Sequence, residues 1–121
     1  MYETSCPIRL VLDRIADKWT VLIVGALMHD TKRFGVLRKD IEGISQKMLT
    51  QTLRGMERDG LINRKAYPTI PPKVEYSLTE TGKSMIKILL DIKEWSEDNV
   101  EYILTSRKTY DLRLTEEINK H

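Results

Sequence analysis

A chain of 121 residues, 40% hydrophobic and 31% charged with a net charge of +2, suits one folded domain and excludes a disordered one. No apolar run approaches the roughly 20 residues of a membrane span, and Met1–Cys6 does not read as a signal-peptide start, so the expected location is the cytoplasm. Cys6 is the only cysteine, which excludes an internal disulfide.

Charge is unevenly spread. Residues 31–73 hold ten basic side chains against four acidic ones, a local charge of +6, so the remainder carries −4. Much of that negative charge falls in residues 91–104, where Asp91, Glu94, Glu97, Asp98 and Glu101 face only Lys93. A basic middle and an acidic later segment suggest one face for a polyanion and another for something else.

In chain order, Pro7 suits the first turn of a helix. Ile8, Val11, Leu12 and Ile15 follow at i, i+3, i+4, i+7 and form one apolar stripe. Residues 18–28 are apolar nearly all round, the signature of a buried helix. A short helix fits Phe34–Ile41, with Phe34, Leu37 and Ile41 inward, and Gly43 is a turn signal. Ser45 is a good N-cap for a helix running to about Arg58, and Gly60 ends it.

Two strand-like runs follow, Leu61–Tyr67 and Val74–Leu78, the second alternating in period two. The tip between them, "PTIPPK", contains three prolines and cannot continue a strand. The pattern predicts an antiparallel hairpin with an extended tip. A long helix is then expected from Thr79 through Trp95 to about Leu104, with Met85, Ile88, Leu89, Ile92 and Trp95 apolar. The remaining residues are polar, and 109–121 are expected as a short helix or a frayed tail. With no repeat and no linker, residues 1–121 read as a single domain.

The helix after Ser45 carries the function. At about 100° per residue, Met48, Leu49, Thr52, Leu53 and Met56 share one face, which is expected in the core. The opposite arc holds Lys47, Thr50, Gln51, Arg54 and Arg58, with no carboxylate inside it and Glu57 at its edge. Arg and Lys neutralise phosphates or pair with guanine, Gln pairs with adenine, and Thr does either or touches a thymine methyl. A basic stripe alone is more often a solvated helix face. Here it is the second helix of a helix–turn–helix, with a basic hairpin directly behind it. The order helix, helix, helix, strand, strand is that of a winged helix-turn-helix, whose second motif helix enters the major groove. The fold class is therefore mainly α with a small antiparallel β-hairpin.

The chain also resembles a known family. The matching pieces are Cys6-Pro7, Lys18-Trp19-Thr20, Arg33-Phe34, Gly43-Ile44-Ser45-Gln46-Lys47-Met48-Leu49, Leu53-Arg54, Glu57-Arg58-Asp59-Gly60-Leu61, Pro71-Pro72, Val74-Glu75-Tyr76-Ser77-Leu78-Thr79, Gly82 and Trp95. In this order and spacing they resemble the HxlR-type winged helix transcriptional regulators of bacteria, of the MarR-like superfamily. Asp17 departs from the pattern, which has glycine before Lys-Trp, and is expected to alter a turn. The resemblance implies a homodimer on a near-palindromic double-stranded DNA operator, paired through added N- and C-terminal helices. It also implies wings on the flanking minor groove or backbone. In some members the cysteine of Cys-Pro, here Cys6, senses oxidants or small electrophiles.

On these readings Lys47, Thr50, Gln51 and Arg54 are the expected base and phosphate contacts, with Gln46 at the helix start and the Ser45 cap offering its N–H to a phosphate. Arg58 fits a phosphate contact or a solvated charge. Arg64, Lys65 and Lys73 fit phosphate clamps or ordinary strand charges. Lys32 and Arg33 precede the first motif helix, where they fit backbone contacts, and Arg33 equally fits a structural partner for a carboxylate. Ile8, Val11, Leu12, Ile15, Met85, Ile88, Leu89, Ile92 and Trp95 exceed what a small winged domain covers alone and are expected at a dimer interface, Trp95 fitting core equally well. Trp19 is expected in the core. Cys6 precedes a helix N-terminus, which favours a thiolate.

Enzyme readings find little support. His29, His121 and Cys6 stand at no metal or triad spacing, and no phosphate-cradling glycine loop is present. The chain is read as non-enzymatic, without metal or cofactor. The alternative to a sequence-specific regulator is an architectural or protein-interaction winged helix.

Overall fold

Pro7 opens helix α1 (Pro7–Ile15) at the position where a missing N–H is harmless. The computed structural model describes residues 7–120, so the expected sensor Cys6 lies outside the described residues. Helix α2 (Lys18–Ala26) begins at Asp17, whose Oδ1 accepts from the N–H of Trp19 at 2.9 Å and of Thr20 at 3.2 Å. That gives the departure at residue 17 a physical reason. Aspartate caps the helix with a side chain that glycine lacks.

The hydropathy of α2 predicts burial all round, and the structure corrects this. Thr20, Ile23 and Val24 are buried, while Leu22 is 47% exposed. A nine-residue helix packed on α1 and on the two helices that follow is covered over only part of its circumference. Trp19, expected in the core, is half-buried with the Lys18 ammonium 4.7 Å from its ring centroid.

A two-residue strand, β1 (Lys32–Arg33), precedes α3 (Phe34–Asp40). Leu37 and Ile41 point into the core as expected, and Phe34 is half-buried. The turn that follows contains Gly43 at φ +82°, a left-handed conformation that suits glycine. Helix α4 (Gln46–Arg58) starts on the Ser45 cap, whose Oγ accepts from the Met48 N–H at 3.1 Å. Leu49, Thr52, Leu53 and Met56 are buried. Met48, expected with them, is 37% exposed. It lies in the first turn, where the core does not reach around the helix. Gly60, at φ +75°, ends the helix and turns the chain into the wing.

Strands β2 (Ile62–Tyr67) and β3 (Lys73–Leu78) form the predicted hairpin. The sheet has a third member that the sequence did not announce. Its order is β1-β3-β2, all antiparallel, with Lys32 opposite Tyr76 and Arg33 opposite Glu75. Ile23, Leu37, Leu49, Leu53 and Met56 are the largest fully buried apolar side chains.

Helix α5 (Glu80–Lys120) follows Thr79, whose Oγ1 accepts from the Gly82 N–H at 3.0 Å and donates to the Gly60 carbonyl at 2.6 Å. It is 41 residues long. The expected end near Leu104 and the frayed tail are therefore corrected. Residues 105–120 contain neither glycine nor proline, and Tyr110, Leu114 and Ile118 repeat at helical spacing. The chain divides into two compact units, Met1–Lys87 and Ile88–His121. Within the first, Met85 is only 4% exposed. The chain's own core covers it, so it is not available to a partner as expected. The apolar side chains Ile8, Val11 and Leu12 of α1 are exposed, and Ile15 is half-buried. In the second unit Ile88, Ile92 and Trp95 are exposed and Leu89 is half-buried. Among the described residues, no helix is long and apolar enough to cross a membrane.

Candidate nucleic-acid interface

The rotation of α4 is fixed by its four buried side chains, and this decides what its outer arc presents. Gln46, Lys47, Gln51 and Arg54 are exposed, and Thr50 is half-exposed. The Ser45 cap uses one free N–H of the first turn, and the acid-free start of the helix leaves its positive end for an anion.

Strand register then sorts the wing residues by face. Directly opposed residues share a face, and neighbours along a strand alternate. Arg64 is opposite Tyr76 and lies on the side toward α4. There it joins Gln46, Thr50, Arg54, Glu57, Phe34 and Tyr76 in lining one open groove of about 490 Å³. Lys65 is opposite Glu75, Lys73 is opposite Tyr67, and Arg33 is opposite Glu75. These form a second cluster on the other face of the sheet. The sequence grouped Arg64, Lys65 and Lys73 together, and the structure separates the first from the other two.

The second cluster is internally tied. Lys73 Nζ is 3.0 Å from Glu75 Oε1, and the Lys65 and Lys73 ammonium groups sit 5.0 and 4.8 Å from the Tyr67 ring centroid. The Tyr67 hydroxyl donates to Glu75 Oε2 at 3.4 Å. The bond from Lys73 holds the Glu75 carboxyl below its ordinary range against the opposing effect of desolvation, with further help from Tyr67 and Arg33. Tyr67 and Glu75 thus brace two lysines that would otherwise be free rotors.

Other expected contacts are committed elsewhere. Lys32 Nζ is 2.5 Å from Asp40 Oδ2, so its charge is already matched. Arg58 lines a cleft with Leu10, Asp13, Arg14 and Asp59, separate from the groove that Arg64 lines. Two carboxylates beside it favour the solvated or structural reading of that arginine. Glu57, in contrast, stands among the groove-lining residues, where the sequence placed it only at the edge of the arc. Its signal was its spacing from Arg54, one turn earlier.

A core built from α2, α3 and α4, an exposed outer arc on the helix that follows the glycine turn and a braced β-wing define a winged helix-turn-helix protein. The HxlR-like helix-turn-helix family matches residues 14–104. The Escherichia coli protein YtfH, described as an uncharacterized HTH-type transcriptional regulator, is 43% identical over 107 residues, covering 88% of this chain and 85% of YtfH. The solved structure of the transcriptional regulator ytfH from Salmonella typhimurium superposes with a TM-score of 0.79 at 41% identity, over 89% of this chain and 96% of that one. The redox regulator HypR in its reduced form superposes with a TM-score of 0.74 at 40% identity, over 82% of this chain and 98% of HypR. The chain belongs to the HxlR-like helix-turn-helix family and is a transcriptional regulator.

Proposed function

We propose that the protein is a cytoplasmic homodimer that binds a near-palindromic operator in double-stranded DNA. In this reading α4 enters the major groove and the wing lies on flanking backbone or minor groove. The observation that carries it is the exposed, acid-free arc of Lys47, Thr50, Gln51 and Arg54, rolled outward by the buried face of the same helix. Arg54 and Gln51 are the base readers, because their planar groups pair in bidentate fashion with guanine and adenine. Lys47 and the capped first turn hold phosphate, with Gln46 beside them. Arg64 contacts DNA from the α4 side of the wing, and Lys65, Lys73 and Arg33 supply charge from its other face. Glu57 is placed to accept from a cytosine amino group or to orient Arg54. The exposed apolar side chains of α1 and of α5 beyond Lys87 support the dimer.

A mobility shift with the DNA upstream of the protein's own gene tests this reading. Specific binding should fall steeply with salt and should discriminate against random duplex. Binding that ignores sequence would favour an architectural role instead. Cys6 is proposed as the site where an oxidant or small electrophile releases the operator. The likeness to a protein described as a redox regulator supports this. Cys6→Ser should then keep operator binding and lose its release by diamide or a quinone; unchanged release rejects the sensor.

A further inference from the structure

We infer that the apex of the wing is an apolar wedge: Ile70 enters the minor groove beside the operator and opens one base step. The inference rests on the DNA-binding reading and adds to it one contact and one deformation of the DNA. Tyr67 opposite Lys73 is the last rung of the β2–β3 hairpin. Beyond it the chain runs through Pro68, Thr69, Ile70, Pro71 and Pro72, all exposed, with Ile70 at the centre. Ile70 is fully exposed, more so than any other large apolar side chain among the described residues. It contributes nothing to the core of its own chain.

The tip is stiff. Proline fixes φ at Pro68, Pro71 and Pro72, and Thr69 Oγ1 donates to the Pro71 carbonyl at 2.9 Å, across Ile70. A β-branched side chain has few rotamers to lose, so burying Ile70 against a partner costs little ordering entropy. Its reach is also sufficient. Three residues beyond Tyr67 extend at most about 10 Å. The minor groove is about 7.5 Å deep and about 6 Å wide. A hairpin tip reaches its floor only by opening it, with the apex side chain leading.

Charge selects DNA as the occupant. Residues 68–72 carry no charge, whereas Lys65 and Lys73 hold their ammonium groups against Tyr67 directly behind the tip. An apolar point inside a cationic collar complements a ligand with phosphates outside and stacked bases within. The uncharged tip also sets the preference. A basic apex would be drawn to the narrow, strongly negative minor groove of a stiff A-tract. Isoleucine gains nothing from that potential. It gains by wedging into a step that unstacks easily, which is a pyrimidine–purine step, TA or CA/TG. The chain should therefore prefer such a step under the wing, where no hydrogen-bonding side chain reads a base.

Fluorescence of 2-aminopurine, which brightens on unstacking, tests this. The probe is the shortest duplex from upstream of the protein's own gene that the chain retards in a mobility shift. The analogue replaces each flanking adenine in turn. Binding should brighten one pyrimidine–purine step outside the α4 contacts. Ile70→Ala should abolish that signal, weaken binding by about three- to tenfold and lose the preference for that step over an A-tract. Preferences at the bases read by α4 should stay, and Ile70→Leu should restore the signal. A duplex bound with no brightened step overturns the inference and leaves the DNA-binding reading intact. So does an Ile70→Ala chain that matches the parent in signal and affinity, which would leave the tip to a protein partner or to solvent. A parent chain that retards no duplex overturns both.

Discussion

The guanidinium of Arg14 lies across Gly55 and donates from Nε to Asp59 Oδ2 at 2.7 Å, tying α1 to the end of α4. A Cβ at residue 55 would overlap that guanidinium. Glycine inside a helix is destabilising by about 0.5–1 kcal/mol relative to alanine, so its presence here fits the close approach of Arg14. Because the obstructing group is the end of a flexible side chain, Gly55→Ala should be tolerated. Arg14 swings away, an exposed ion pair worth about 0–1 kcal/mol is lost, and the helix gains a comparable amount. Urea denaturation should give a net change within about 1 kcal/mol. In that background Asp59→Asn should have no further effect. A loss above about 2 kcal/mol, or a full Asp59 effect that persists, would mean that Arg14 does not leave.

Gly82 presents the opposite case. A Cβ there would run into the backbone carbonyl of Leu61, with the Leu78 side chain close by. Neither Leu61 nor α5 can retreat freely. The Leu61 carbonyl accepts from the Thr79 N–H at 3.0 Å, and Thr79 Oγ1 bonds both Gly60 and Gly82. Gly82→Ala should therefore destabilise by about 1–3 kcal/mol, the usual cost of overpacking, although alanine is the better helix former. A midpoint at or above that of the parent chain in thermal unfolding would contradict this account.

The contrast between those glycines also marks what the sequence could disclose. The α4 face was legible because strong amphipathicity, a serine cap and a terminal glycine agree on one rotation. Burial of Met48 was misread because periodicity assigns a face without saying how far the core extends along it. β1 has two residues and no period, so its pairing with Tyr76 and Glu75 is purely tertiary information. The length of α5 was hidden by polar composition, although Tyr110, Leu114 and Ile118 kept the helical spacing. At the site, residue types were legible and partners were not. Nothing in the one-dimensional pattern puts Arg64 with Arg54, or Lys65 and Lys73 against Tyr67.

The brace at Glu75 should respond to acid. Its carboxyl is held below the ordinary range first by the bond from Lys73, and Tyr67 and Arg33 add to it. A depressed carboxylate contributes stability that is present above its unfolded-state pKa and is lost as pH falls through the folded-state value. The wing should therefore stay ordered through the normal carboxylate range and loosen only below it. An NMR titration of the Glu75 side chain should give a low midpoint that rises in Lys73→Met. A midpoint that does not move in that variant would show that Lys73 is not the principal cause.

Arg54 and Lys73 should fail in different ways on DNA, because they occupy different surfaces. Arg54 lies in the groove between α4 and the wing, and its planar guanidinium suits a guanine edge. Arg54→Ala should cost about 1–3 kcal/mol on the operator and relax preference at about one base pair. Lys73 lies on the opposite face of the sheet, where Glu75 and Tyr67 hold it. An ammonium held there can neutralise a phosphate without reading a base. Lys73→Ala should weaken all duplexes alike and lower the slope of log affinity against log salt by about 1. Removing the brace with Glu75→Gln frees the lysine and removes a competing carboxylate. If Lys73 contacts phosphate, that variant should bind every duplex somewhat more tightly with the same base preferences. Titrations of operator and random duplex at several salt concentrations distinguish these outcomes. Loss of base preference in Lys73→Ala, or its retention in Arg54→Ala, would reverse the roles given to the two residues.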